Sequence, residues 1–294
     1  MSRTAVLLMA HGTPESLDEM PEYLRLVRGG RPASPELVAE MRSNYGAIGG
    51  RSPLTDITEA QARALRARLP GLAVGVGMRN WRPFIKDALH ELAAQGADRV
   101  VGIPMAPQFS TLSVQKYIDA ARAALATMER PPVFEAVQSF FGHPLLIEAF
   151  VDRLRAAAPS ADELVIFTAH SLPARIIDAG DRYSAEVEAT ARAVAAGAGI
   201  ANYQLAYQSA GRTPEPWIGP SLDALIEDRA RAGMRRFLVV PVGFVCDHTE
   251  ILFDIDVQAA GTADRFGATI RRTESLNTSP PFIRMLEDLV RQMM

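Results

Sequence analysis

The sequence predicts an α/β fold of two similar Rossmann-like domains, each a parallel sheet flanked by helices, with a cleft between them. Three observations predict it. Short β-rich apolar runs alternate with Ala-, Leu- and Arg-rich stretches of helical period, the pattern of strand–helix units around a parallel sheet. Two motifs recur in the same order in the two halves. A length of 294 residues with 48% hydrophobic content suffices for one large or two medium cores.

Taken in order, strands are expected over 5–9, 72–76, 99–103, 164–167, 203–207 and 236–240. Helical spacing of apolar residues marks 65–69, 84–92, 114–125, 144–155, 184–196 and 221–232. The repeat is direct. Residues 6–14 read Val-Leu-Leu-Met-Ala-His-Gly-Thr-Pro, and 165–173 read Val-Ile-Phe-Thr-Ala-His-Ser-Leu-Pro, sharing Ala-His-x-x-Pro. Later, 96–104 and 233–241 both run from Gly through an apolar strand to Pro. Between them, Trp81 and Trp217 sit in Pro-containing segments that each precede a helix. The expected division is residues 1–140 for an N-terminal domain, 141–275 for a C-terminal domain, and 276–294 for a terminal helix packing back on the first. Ligands of open α/β sheets bind beyond the carboxyl ends of the strands. Both Ala-His segments fall at such ends, so facing domains would place His11 and His170 on opposite sides of one cleft.

Composition narrows the partners. A formal charge of −3 lacks the basic excess that nucleic acid or an anionic membrane would select. Cys246 is the single cysteine, which excludes an internal disulfide, a Cys-based structural zinc site and an iron–sulfur cluster held by this chain alone. The first residues lack the apolar stretch and cleavage site of a signal peptide. No run approaches the ~20 apolar residues of a membrane span, so the expectation is a cytoplasmic protein without an integral membrane segment.

The chemistry-bearing residues concentrate in two strings. Residues 165–183 carry Thr168, His170, Ser171, Leu172, Pro173, Asp178, Gly180, Asp181 and Tyr183. Residues 241–256 contain Asp-His-Thr-Glu ending at Glu250, followed by Asp254 and Asp256. If the chain is helical from Thr249, then Glu250, Asp254 and Gln258 share one face. Neutral imidazole and carboxylate are weak, exchangeable ligands for a divalent metal and serve as bases, whereas a closed thiolate set would hold a metal too firmly to release it.

These strings resemble the signature of the ferrochelatase family of class II chelatases. Further likenesses run along nearly the whole chain, at 9–14, 45–54, 77–84, 106–117 and 208–217. The resemblance implies a chelatase-like fold and a lyase that inserts ferrous iron into a porphyrin in heme biosynthesis. It implies His170 and Glu250 as the catalytic pair and as metal contacts, with iron as substrate and no prosthetic group. Arg28, Tyr45, Ser52 and Tyr117 become candidates for holding the macrocycle and its propionates, a task that suits the planar donor fork of Arg. The likeness is greatest to coproporphyrin III ferrochelatases of Gram-positive type, which implies iron-coproporphyrin as product and a monomeric enzyme.

Three positions depart from that pattern. His11 stands where such enzymes commonly place Tyr, which makes it a candidate axial nitrogen ligand to iron. Asn44, in the substrate-binding set, replaces a basic residue. Gln258 replaces the last acidic member of the helical row, leaving Glu250, Asp254 and Asp256, so an accessory divalent-metal site there is expected to be weak or missing, with Asp254 the candidate metal contact beside Glu250. Competing readings are protoporphyrin IX as substrate, cobalt or nickel insertion into a sirohydrochlorin-like ring, and a non-catalytic heme-binding module. Nucleotide binding is disfavoured because Pro14 falls where amides of a phosphate loop would be needed.

Overall fold

The computed structural model describes residues 3–211 and 213–294; Met1, Ser2 and Arg212, the last in the 208–217 segment, lie outside the described residues. The chain divides into two units, one of Met1–Ala106, Ser113–Ser139 and Phe282–Met294, the other of Pro107–Leu112 and Phe140–Pro281. In chain order the first half gives β1 (Thr4–Ala10), α1 (Met20–Val27), α2 (Pro35–Ala47), α3 (Leu54–Arg68), β2 (Ala73–Met78), α4 (Ile85–Ala94), β3 (Arg99–Pro104), α5 (Val114–Leu125) and β4 (Val133–Ala136). The second gives α6 (Pro144–Ala157), β5 (Leu164–His170), α7 (Ala174–Asp178), α8 (Tyr183–Ala198), β6 (Tyr203–Gln208), α9 (Leu222–Arg231), β7 (Arg236–Val240), α10 (Thr249–Leu252), a π-helical stretch Asp254–Ala259, α11 (Ala260–Arg265), β8 (Thr269–Arg272) and α12 (Pro280–Gln292).

Each unit holds one four-stranded sheet, ordered β2-β1-β3-β4 and β6-β5-β7-β8. All pairings are parallel. The two orders are the same, strand for strand, which is the structural counterpart of the sequence repeat. The first strand of each half is central and covered on both faces, so it reads as a continuous apolar run. Val6, Leu7, Leu8 and Met9 are wholly buried, as are Ile166 and Phe167. In the first unit Leu7 and Met9 pack with Ile85 and Leu89 of α4 and Ala121 of α5. In the second, Ile166, Phe237 and Val239 pack with Ile226 of α9 and with Ile251 and Ile255 beyond it.

Local signals set the helix ends. Ser34 caps α2 by accepting from Leu37 N at 3.3 Å, with Pro35 in the first turn, where its missing N–H is harmless. Ser221 caps α9 in the same way through Ala224 N at 3.2 Å. Gly199, with φ of 75°, ends α8 in the left-handed conformation that glycine adopts without strain.

Several elements differ from expectation. α3 is far longer than the predicted 65–69 because its first turns carry Thr58 and Gln61 inward, and such residues do not register as an apolar stripe. β4 and β8 escape prediction as four-residue edge strands of alternating half-exposed and exposed residues. Pro107–Leu112, inside the stretch read as the first domain, groups with the second unit. Its backbone is held there: Phe109 N donates to Glu186 at 2.7 Å, and Thr111 N and Oγ1 both donate to Asp181 at 2.7 Å. α12 groups with the first unit, where Glu287 pairs with Arg68 of α3.

Candidate active site

In the second unit, His170 is the last residue of the central strand β5. Its main chain is pinned from two sides. The buried Tyr183 hydroxyl donates to His170 O at 2.9 Å, and Ser171 N donates to Gln208 O at 2.7 Å. Ser171 Oγ in turn donates to Ile218 O at 2.7 Å. These bonds give Ser171 and Tyr183 a part in holding the end of β5. The His170 Nδ1–H donates to the Ser171 carbonyl, since a carbonyl can only accept. The other nitrogen, Nε2, therefore keeps its lone pair in the neutral ring, and it faces Glu250 Oε1 at 3.6 Å.

Glu250 reaches that position through a tightly held loop after β7. Gly243 N donates to Thr168 O at 3.1 Å, and a Cβ on Gly243 would lie 2.6 Å from Ala169 Cβ, so the loop passes β5 closely enough to require glycine. Asp247 accepts from Ser275 Oγ at 2.8 Å and from Asn277 Nδ2 at 2.9 Å. Arg272 bridges Asp247, at 3.2 Å, and Asp256, at 2.8 Å. Strand register sets Gln208 beside His170, and the Gln208 side-chain amide donates to Glu250 O. Glu250 is thus fastened to the same strand pair that carries His170.

A third group, His248, was not singled out from sequence, although it lies in the Asp-His-Thr-Glu string. Its Nδ1–H donates to Cys246 O at 2.9 Å, leaving Nε2 at 3.7 Å from Glu250 Oε2. Glu250 is thus flanked by two imidazoles, one on each oxygen. Burial of His248 opposes its charge, but the Glu250 carboxylate, the Cys246 carbonyl and Asp254 outweigh it and raise the imidazole pKa. Asp254, mostly buried and near Glu250, is pushed up to about 6, first by desolvation and then by the Glu250 charge; the Ser209 hydroxyl, which donates to it, and the two histidines oppose the shift. Ser209 has φ of 61°, a left-handed conformation that Ser adopts rarely. Burial drives the Cys246 thiol up to about 12, so it stays protonated and is a poor metal ligand.

The row Glu250, Asp254, Gln258 does not form a run of acids or a uniform α-helical face. In an α-helix each four-residue step overshoots a full turn by about 40°, and the wider π stretch drifts the other way. Beyond Asp254 the row is engaged elsewhere: Gln258 donates to Asp223 of α9, and Asp256 pairs with Arg272. Among the described residues, no three His, Cys, Asp or Glu side chains are arranged to hold a metal ion. Nor is any helix among them long and apolar enough to cross a membrane.

In the first unit, His11 directly follows β1 and is half-buried. Its Nδ1–H points to Gly12 O at 3.1 Å, with Tyr23 Oη at 3.2 Å, and its Nε2 accepts from Asn80 Nδ2 at 3.0 Å. An axial iron bond through Nε2 would therefore displace the Asn80 amide. Tyr45 is buried in α2, and its hydroxyl bonds Thr13 Oγ1 at 2.9 Å. Tyr117 is buried in α5 beneath the Arg79 guanidinium. Ser52 is buried and accepts from Leu54 N at 3.4 Å. Arg28 is exposed at the end of α1, and Asn44 is half-buried on α2. Of the residues expected from sequence, the structure brings His170, Glu250 and Asp254 together in the second unit, while His11, Arg28, Asn44, Tyr45, Ser52 and Tyr117 all belong to the first.

Comparison with known proteins bears on the chemistry. The ferrochelatase family profile matches residues 3–294. A ferrochelatase of Deinococcus radiodurans is 42% identical over 297 residues, covering 97% of this chain and 94% of that protein. A coproporphyrin III ferrochelatase of Geobacillus kaustophilus is 37% identical over 301 residues, again covering 97% and 94%. Among solved structures, the cobalt complex of the sirohydrochlorin chelatase SirB from Bacillus subtilis superposes with a TM-score of 0.59 at 11% identity, covering 99% of this chain and 94% of that one, a likeness of fold. With the profile running almost end to end and relatives of this identity matched along nearly their full length, the chain belongs to the ferrochelatase family, the lyases that insert iron into a porphyrin.

Proposed function

We propose that the enzyme inserts ferrous iron into coproporphyrin III, with His170 and Glu250 as its proton-handling pair. The observation that carries the catalytic assignment is the approach of His170 Nε2 to Glu250 Oε1 at 3.6 Å, close enough for a proton gained at Nε2 to pass to the carboxylate. A free-base porphyrin must release two pyrrole protons as the metal enters, and iron stays ferrous throughout. His170 Nε2 accepts a proton at the ring face, and Glu250 takes it on. His248 and Asp254 extend the path, since a carboxyl at about 6 exchanges protons near neutrality. General-base assistance of this kind is worth roughly 10²–10⁴-fold in rate.

The porphyrin is chosen on the relatives: several matched along nearly all of this chain are coproporphyrin III ferrochelatases at 36–37% identity. Protoporphyrin IX is the alternative. Arg28, Asn44, Tyr45, Ser52 and Tyr117 are assigned to the macrocycle and its carboxylates, and His11 to one of its faces. The test is anaerobic metallation by ferrous iron of coproporphyrin III and of protoporphyrin IX, followed by absorbance. Faster turnover of coproporphyrin is expected; a marked preference for protoporphyrin overturns the choice.

A further inference from the structure

Arg79 directly follows β2, and its backbone N donates to Ala10 O at 2.9 Å, which fixes it beside the end of β1. It is half-buried. Its guanidinium carbon lies 5.5 Å from the centroid of the Tyr117 ring, and its Nε–H donates to Asn80 Oδ1 at 3.4 Å. That amide continues to His11 Nε2 at 3.0 Å. Among the described residues no carboxylate pairs with Arg79, and its two terminal amino groups have no protein acceptor. Three other arginines of this unit do have carboxylate partners: Arg51 with Glu15 and Asp56, Arg82 with Glu22, Arg99 with Glu135.

A partly desolvated guanidinium without an anion is costly, and an aromatic face beneath it offsets only part of that cost. The free edge of the fork has the geometry that a carboxylate meets with two parallel hydrogen bonds. Its surroundings are Tyr117 and, through Asn80, His11 and Tyr23, a ring-lined wall that suits a carboxylate borne on a flat apolar molecule rather than a small inorganic anion.

We propose that Arg79 is a substrate-binding residue that pairs with one propionate of the tetrapyrrole, held in place by Tyr117 below and Asn80 beside it. The inference rests on the porphyrin reading above. The test is a fluorescence-quenching titration of coproporphyrin III and of its tetramethyl ester in one detergent buffer, with wild type, Arg79→Gln and Arg79→Lys. Arg79→Gln keeps a group that can bond Asn80 but has no charge. It is expected to weaken the free acid about tenfold, as a lost charge-assisted hydrogen bond does, and to leave the ester within about twofold. Arg79→Lys is expected to lower the acid-to-ester preference by about threefold, and it carries the test if the Gln variant fails to fold by circular dichroism. An acid-to-ester ratio unchanged from wild type, whether both ligands weaken or neither does, overturns the proposal. A wild-type protein that binds neither porphyrin contradicts the functional reading itself, a distinguishable result.

Discussion

A carboxylate between two imidazoles cannot be described by any one of the three residues. Removing the Glu250 charge removes the main influence that raises the His248 pKa against burial. In Glu250→Gln the His248 pKa is therefore expected to fall, as read by NMR titration of the ring protons, and iron insertion to drop by roughly 10²–10⁴-fold in kcat; an unmoved His248 resonance contradicts the placement. Asp254 makes a second prediction. Its pKa of about 6 in the folded chain stands above the ordinary 3.8, so the folded state binds that proton more tightly than the unfolded. The associated stability is fully present below about pH 4 and is lost as pH rises through about 6, on the order of 3 kcal/mol in all. His248, also raised, acts in the same sense at higher pH: its contribution is in place below 6.5 and lost as pH climbs through its folded value. Asp254→Asn should flatten the first window, so urea unfolding at pH 4 and pH 7 should differ less in the variant. At this scale the sequence spoke clearly where chemistry sits in one string, as for His170 and Glu250. It was silent on Ser209, whose left-handed backbone turns its hydroxyl to Asp254, because nothing in a serine announces a positive φ.

Elements decide how firmly such residues are aimed. Gly12 shows the margin: its φ is 86°, and a Cβ there would lie 2.8 Å from Trp81 N and 2.9 Å from Met78 Cβ. Gly12→Ala combines backbone strain with a clash against main chain, so a loss of more than about 2 kcal/mol is expected, visible as a lowered Tm; a Tm unchanged within error would show that the turn after β1 yields. The same reasoning explains what could be read in advance and what could not. α5 and β7 were legible to the residue because α5 carries a helical apolar stripe along its whole length and β7 is an uninterrupted apolar run after Arg236. The π stretch after α10 was not, since one widened turn leaves no mark on a 3.6-residue pattern.

Across the whole molecule, the repeat proved the most informative feature of the sequence, because it was carried by buried central strands whose side chains have little freedom to change. Equivalent core positions should then weigh alike. Leu7 and Ile166 occupy matching places in β1 and β5, and both are wholly buried. Leu7→Ala and Ile166→Ala are each expected to cost about 2–5 kcal/mol, measured by chemical denaturation; a negligible effect in either half would show that its sheet lacks the packed core described. What the repeat could not convey is how differently the twin strand ends are furnished. After β5 the imidazole meets a carboxylate that can take a proton from it. After β1 the imidazole meets the NH2 of the Asn80 amide, which donates a hydrogen bond to it. Two copies of one backbone thus set their histidines against opposite partners, one an acceptor carboxylate and the other a donor amide. Exchanging the nitrogen of Asn80 for an oxygen, as in Asn80→Asp, would erase that asymmetry by a single atom.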